Sequence, residues 1–249
     1  MPKYSVEQTL VLIKPDALKL SLTGYILSTL AEPHTGLRIA GAKIVYVTEL
    51  LAQEHYAEHR GKPFFDNLID YLTGRIHYSD EEAYKRRVVA LVYVGDEAVS
   101  GIRKVAGPTN PHVAREEAPG TIRSLGTLVN GAAALPSDGI ARIDNLIHAS
   151  AAAEEAEREI KLWFKPRDIC PQVRAWETVI CEEHYYCSKE GVLSTTHQKG
   201  DTCLLAPGKP AWKSDLDLLH DIIEKGGKDP RIWTVAAKYL INGTAEVAL

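Results

Sequence analysis

Residues 143–150 read Ile143-Asp144-Asn145-Leu146-Ile147-His148-Ala149-Ser150, and the fourteen residues after them, 151–164, are dominated by Ala and Glu. The apolar run 143–147 predicts a short strand, and 151–164 predicts a helix of high intrinsic propensity. Outward from this hand-over, towards the N-terminus, the same two signals alternate. Residues 9–13 form a β-rich run that Pro15 and Asp16 stop, and 22–30 read as a helix ended by the breaker cluster 33–36. Residues 38–48 alternate apolar and polar, giving a second strand. Helical signals over 50–59 and 65–72 flank Pro63, and the dense Val/Leu/Tyr run 87–94 predicts a well-buried strand. Asp96 is positioned to N-cap a helix reaching Val105, which Gly107-Pro108 closes. In simplified form this is β-α-β-(α)-β-α-β, so the fold class is α+β: a ferredoxin-like βαββαβ antiparallel sheet covered by helices.

Three stretches interrupt the pattern: polar residues 73–86, the proline-bounded charged stretch 111–119, and the Gly/Ala/Ser-rich stretch 130–139. The last third of the chain is composed differently. Cys170, Cys181, Cys187 and Cys203 all lie beyond residue 165, with Trp176, Trp212 and Trp233, whereas Phe64, Phe65 and Phe164 all precede it. This divides the 249 residues into 1–166 and a mostly helical C-terminal extension, 167–249. In the extension, Ser214 with Asp217 suggests a capping pair, Gly226-Gly227 a stop, Asp229-Pro230 a second helix start, and Asn242-Gly243 its end.

Composition excludes several function classes. The net charge of −4 disfavours a nucleic-acid binder that works by phosphate neutralisation. No apolar run is long enough to span a membrane, and Met1-Pro2-Lys3-Tyr4-Ser5 carries no apolar signal core, so a cytoplasmic protein is expected. Neither a P-loop nor a Gly-x-Gly-x-x-Gly turn occurs. His55-Tyr56-Ala57-Glu58-His59 fits the H-x-x-E-H pattern, in which two histidines on one helix face bind zinc and Glu58 is the base of a peptidase. In the extension, Cys181 and Cys187 have a C-x₅-C spacing, wider than a zinc knuckle, which favours ordinary thiols. His148, at a strand end just before a helix, is suited to an anionic phosphate group, and Lys14, Arg103, Thr109, Asn110 and Arg123 lie near other strand ends or loops.

A set of short blocks resembles the nucleoside diphosphate kinase family. They are Ile13-Lys14-Pro15-Asp16, His55-Tyr56 with Pro63-Phe64-Phe65, and Thr109-Asn110-Pro111 with Pro119-Gly120-Thr121-Ile122-Arg123. The Asn145–Ser150 block and Glu159-Ile160-Lys161-Leu162-Trp163-Phe164 complete the set, in the family's order, over roughly residues 7–166. The resemblance implies that His148 takes the γ-phosphoryl group of a nucleoside triphosphate on Nδ1 and passes it to a nucleoside diphosphate by ping-pong kinetics. It further implies that Glu159 orients His148, that Ser150 supports Glu159, and that Lys14, Arg103, Thr109 and Arg123 bind phosphates. Phe64 would stack on the base, with Leu68 or Ile147 beside it; Asn145 and Lys14 would hold the ribose; Tyr56 and His59 would approach the phosphate region. Mg²⁺ would arrive on the nucleotide phosphates, with no metal held by the protein itself. Partners would be nucleoside di- and triphosphates, with neither nucleic acid nor membrane, and the chain would form a homo-oligomer, a hexamer or a tetramer. The chain departs from the family pattern at Ala149-Ser150-Ala151, where Gly-Ser-Asp is usual, and at Ser124-Leu125-Gly126 after Arg123. Two alternatives are a catalytically weak nucleotide-binding regulatory or scaffold protein of the same fold, and a zinc peptidase using His55, Glu58 and His59. The extension is expected to pack on the core or at a subunit interface.

Overall fold

A computed structural model describes residues 6–129, 142–170 and 177–240. These fall into two units, Met1–Ile160 and Lys161–Leu249. In chain order the first contains β1 (Val6–Ile13), α1 (Pro15–Lys19), α2 (Thr23–Thr29), α3 (Glu32–Thr35), β2 (Arg38–Val45), α4 (Glu49–His55) and α5 (Phe65–Thr73). β3 (Val88–Asp96), α6 (Ala98–Ala106), α7 (Pro111–Glu117), β4 (Thr127–Val129), β5 (Arg142–Asp144) and β6 (Ile147–Ala149) follow, and α8 (Ala153–Trp163) runs across the division. The sheet order is β2-β3-β1-β6 with every neighbouring pair antiparallel, the split βαβ arrangement. β1 and β3 are central and buried on both faces, which is why they read as continuous apolar runs. Val11, Ile13, Leu91, Tyr93, Ile102 and Ile147 belong to the core beneath the sheet.

The deciding stretch folds differently from its simplest reading. Residues 143–147 are not one strand. β5 pairs with β4 in a separate two-stranded ribbon, and β6 pairs with β1, setting Leu12 opposite His148 and Ile13 opposite Ile147. Between them Leu146 adopts φ 67°, a left-handed conformation costly for a branched residue. Buried hydrogen bonds hold the turn: Leu146 N–H donates to Asp16 Oδ2 at 2.9 Å, and Asn145 N–H to the Tyr71 hydroxyl at 3.0 Å. His148 therefore sits inside a strand rather than beyond its end.

Other boundaries move for identifiable reasons. α4 stops at His55 because Tyr56 leaves the helical region, and Ala57–His59 forms a separate 3₁₀ turn. Asp96 is still paired in β3, opposite Val6. Glu97 turns the chain at φ 50°, and the Glu7 carboxylate of β1 caps α6 instead, accepting from Val99 N–H at 3.1 Å. The charged stretch 111–119 is largely helical, since Pro111 suits a first turn and Asn110 Oδ1 accepts from His112 N–H at 2.9 Å. Residues 73–86 include the 3₁₀ segment Asp80–Lys85, where Arg86 bonds the Tyr78 carbonyl and Asp80. Residues 130–139 lie outside the described residues.

The second unit combines helices with short strands that its sequence did not announce. β7 (Thr178–Ile180), β8 (Tyr185–Cys187), β9 (Leu193–Ser194), β10 (Thr202–Leu205) and β11 (Pro210–Trp212) precede α9 (Lys213–Glu224) and α10 (Ile232–Tyr239). The strands form a β10-β8-β9 sheet and a β11-β7 ribbon, over a core that includes Leu205, Leu219, Ile222 and Val235. α9 starts one residue before Ser214 without a side-chain cap, and Asp217 instead pairs with Lys213 Nζ at 2.6 Å. Gly226 and Gly227 end α9 at φ 101° and 78°. Asp229 Oδ1 accepts from Arg231 N–H at 2.8 Å ahead of α10, while Asn242-Gly243 lies outside the described residues. Of the cysteines, Cys181 and Cys187 are buried, and Cys170 and Cys203 are exposed.

Candidate active site

The end of β1, the middle of β6 and the second half of α8 place Lys14, His148 and Glu159 around one cavity of about 720 Å³. His148 Nε2 lies 2.9 Å from Glu159 Oε2, and that carboxylate also accepts from Ser150 Oγ at 2.6 Å. Ser150 is itself fixed by β1, since Leu10 N–H donates to its Oγ at 3.2 Å. With Nε2 committed to the carboxylate, the neutral ring carries its lone pair on Nδ1. Burial, reinforced by Lys14, Arg123 and Arg158, holds the His148 pKa well below the ordinary histidine value, so the ring is neutral. Burial also raises the pKa of Glu159, against the opposing pull of its neighbours, including the Ser150 hydroxyl and the Arg158 guanidinium.

The adjoining wall is cationic. Lys14 Nζ donates to Asn145 Oδ1 and sits 4.5 Å from the Tyr71 ring centroid. Burial brings the lysine down to about 7, with Asp16 opposing the shift. Arg123 donates to the Gly107 carbonyl at 2.9 Å and the Ile147 carbonyl at 3.2 Å. Desolvation and the nearby Arg103 lower Arg123 to about 10, leaving it charged. Cations that depress one another's pKa values inside a cavity are held there at an electrostatic cost that a bound polyanion relieves. On the other side, Phe64 and Leu68 are half-buried cavity walls. Phe64 meets the edge of the His59 ring at 5.6 Å, and His59 stacks on Tyr56 at 6.1 Å.

Arg103 and Thr109 line the cavity, as do Lys14, Tyr56, His59, Phe64, Leu68, Arg123, Asn145, His148 and Glu159. Asn110, named with them from the sequence, does not, and neither do two residues given roles by the resemblance. Ser150 stands behind Glu159, and Ile147 is fully buried in the core below the cavity floor. The H-x-x-E-H reading is corrected: with α4 ended at His55, the two histidines share no continuous helix face. His55 turns inward against His148, ring centroids 4.4 Å apart, whereas His59 contacts Glu58 and Lys62.

Sequence reasoning gave no role to Asp16, Tyr71 or Arg158, and none to His55 outside the zinc motif. Asp16 and Tyr71 are 2 % and 4 % exposed, and the tyrosine hydroxyl donates to Asp16 Oδ2 at 2.7 Å. Together they hold the Asn145–Leu146 turn that aims Asn145 and His148. Arg158 donates to the carbonyls of Glu54 and His55, fastening the end of α4 to α8. The available signal was Asp16 itself, an acid directly after a strand-ending proline. Its tyrosine partner lies too far along the chain for any local pattern to name.

A half-buried imidazole with one nitrogen committed to a carboxylate, beside two arginines and a lysine, can offer its other nitrogen to an anionic electrophile. Known proteins make the class specific. The nucleoside diphosphate kinase profile matches residues 7–169. A nucleoside diphosphate kinase of Pyrococcus furiosus is 44% identical over 170 residues, spanning 68% of this chain and 90% of that protein. The solved Aquifex aeolicus nucleoside diphosphate kinase aligns with a TM-score of 0.53 at 32% identity, covering 66% of this chain and 99% of that one. The Borrelia burgdorferi enzyme, solved as a transition-state mimic with vanadate and ADP, gives 0.53 at 30% identity over 66% of this chain and 90% of its own. The chain belongs to the nucleoside diphosphate kinase family.

Proposed function

We propose that this chain is a nucleoside diphosphate kinase in which His148 carries the phosphoryl group between two nucleotides. The observation that carries this reading is the commitment of His148 Nε2 to Glu159, which leaves the Nδ1 lone pair for attack. In the first half-reaction Nδ1 attacks the γ-phosphorus of a nucleoside triphosphate, an N–P bond forms, and the bridging P–O bond breaks. The nucleoside diphosphate leaves with the bond's electron pair. In the second, a terminal phosphate oxygen of another nucleoside diphosphate attacks the same phosphorus and the imidazole leaves. Positive charge that builds on the ring during N–P bond formation is balanced through Nε2–H by the Glu159 carboxylate. Lys14, Arg103, Arg123 and Thr109 hold the phosphates in line, since phosphoryl transfer asks mainly for positioning and charge balance. Phe64 offers a ring face to the base with Leu68 beside it, and Asn145 with Lys14 meets the ribose hydroxyls. A stacking contact accepts every base, which supports broad nucleotide use.

Mg²⁺ fits this site as an ion carried by the nucleotide. Among the described residues, the group of donors close enough to share an ion is His55, His148 and Glu159, a nitrogen-rich set poorly matched to a hard cation that prefers oxygen. When bound, Mg²⁺ neutralises phosphate charge. Homo-oligomer formation belongs to the same proposal: β2 is an edge strand that leaves Ile39, Ile44 and the adjoining Tyr46 more than half exposed, a surface suited to a second copy. We assign catalysis to 1–166, a separate role to 167–249, nucleotides rather than nucleic acid or membrane as partners, and the cytoplasm as the location. No helix among the described residues is long and apolar enough to cross a membrane.

The test is incubation with γ-labelled ATP. An acid-labile, alkali-stable phosphoprotein that His148→Ala abolishes is the expected result. Normal nucleotide binding with no labelled protein would overturn the proposal in favour of a regulatory or scaffold protein of the same fold.

A further inference from the structure

We propose that His55, His148 and Glu159 form a chelating site for a borderline transition-metal cation, with Zn²⁺ as the probe, and that its occupation switches the nucleophile off. The silencing rests on the function assigned to His148 above; the chelation does not. One donor atom from each of the three side chains lies within 4.8 Å of the other two. Glu159 is the hub: its Oε1 is 2.9 Å from His148 Nε2 and 3.7 Å from His55 Nδ1. Two imidazoles and a carboxylate are the three-ligand set that zinc takes in sites with an open fourth position. Ligand atoms of a tetrahedral zinc site stand roughly 3.4 Å apart, given Zn–N and Zn–O bonds of about 2.1 Å, so this group needs only local side-chain adjustment.

All three residues line the cavity, so an ion reaches them from the same side as the nucleotide. His55 and Glu159 are each only 1 % exposed, which removes most competing water. Their positions are held from outside the cluster, His55 through its carbonyl by Arg158 and Glu159 by the Ser150 hydroxyl. The opposing charges are Arg158, 4.0 Å from Glu159 Oε1 and 43 % exposed, where water screens it, and the buried Lys14 and Arg123 of the adjoining wall, against which the Glu159 carboxylate supplies the negative charge.

The chemical consequence follows from proton bookkeeping. In the active arrangement His148 Nε2 carries the proton and Nδ1 the lone pair. A metal bound through Nε2 needs that lone pair on Nε2, so the single proton of the neutral ring moves to Nδ1. No proton is gained or lost by the ring, and Nδ1 has no electrons left to offer phosphorus. The metal also takes the Glu159 carboxylate that balances charge during transfer. A phosphohistidine at Nδ1 and a metal at Nε2 thus draw on the same ring in opposing tautomers.

Co²⁺ replaces Zn²⁺ as a spectroscopic probe of the full-length protein, and Zn²⁺ affinity is read by competition with a chromophoric chelator. The expected result is one ion per chain with a tetrahedral visible spectrum and no thiolate charge-transfer band. Affinity should fall at least about 10-fold in His148→Ala and in His55→Gln. His148 lies at the cavity surface, so His148→Ala keeps the test valid should the buried His55 substitution impair folding. In the wild type, Zn²⁺ should block labelling by γ-labelled ATP and a chelator should restore it. Unchanged affinity in His148→Ala, thiolate bands that place the ion on the cysteines of the second unit, or labelling insensitive to bound Zn²⁺ would each overturn the proposal. Absence of labelling in the metal-free protein would instead count against His148 as the phosphoryl carrier and leave the chelation result standing.

Discussion

At the scale of single residues, the catalytic claim reduces to which ring nitrogen of His148 holds its proton. Glu159 decides this, so Glu159→Gln is expected to slow phosphoenzyme formation by about 10²-fold, a loss typical of removing a preorganised charge partner. Nucleotide affinity should change little, because Glu159 faces the ring and not the phosphates; stopped-flow labelling and equilibrium binding separate the two. Lys14 gives a pH signature. In the free protein burial brings it to about 7, so it is charged below that pH and increasingly neutral above it. A polyphosphate favours the charged form. Nucleoside diphosphate affinity is therefore expected to weaken as pH rises through about 7, with proton uptake on binding above that pH. Calorimetry in buffers of differing ionisation enthalpy reads the uptake. Lys14→Gln should remove the protein's share of it, leaving only the ionisation of the phosphate itself.

At the scale of elements, the left-handed turn at Leu146 is the local feature on which the site depends. It splits an apolar run into β5 and β6 and lets β6 join β1, which puts His148 over the cavity. Tyr71→Phe removes the hydroxyl shared by Asp16 and the Asn145 amide. The Asn145 amide then loses its partner and Asp16 keeps only the bond from Leu146 N–H, which should cost about 1–3 kcal/mol, read by denaturant unfolding. Activity should fall with it, since the turn carries both Asn145 and His148. Capping of α6 is a similar case. Glu7→Ala is expected to cost about 1 kcal/mol while leaving phosphoenzyme formation intact, because Glu7 lies outside the cavity. In both cases the partner of a helix end or a turn comes from a distant strand or helix, so windows of adjacent residues could not supply it. Ala/Glu propensity did locate α8, and apolar patterning located β1, β3 and α5, where burial of one face or both leaves a local signal. It failed at 111–119 and 143–147, where a proline in a first turn and a positive φ at a leucine override propensity.

At the scale of the whole molecule, the chain consists of two units with separate hydrophobic cores. The second contains a buried polar network: Lys238 Nζ bonds Asp215 Oδ1 at 2.5 Å and the Lys161 carbonyl at 2.8 Å, and the Tyr239 hydroxyl donates to Asp215 Oδ2 at 2.8 Å. Lys238→Met would strand the Asp215 carboxylate in that interior and is expected to destabilise the unit by about 3–5 kcal/mol. Replacing both members with apolar residues should cost less, and paired thermal and denaturant scans distinguish the outcomes. The amino-acid sequence by itself determined the order of the main sheet's strands and of the longer helices between them, because burial on a period of two or 3.6 is a local property. It also carried the blocks whose resemblance implies the residues proposed for the site, because their order along the chain is readable without the fold. Tertiary structure alone decided that His55 faces His148 instead of pairing with His59, that Ile147 sinks into the core, and that Asp16 and Tyr71 brace the turn beside His148. These contacts join residues 55 to 130 positions apart or depend on one backbone angle, so no local stretch of sequence holds them.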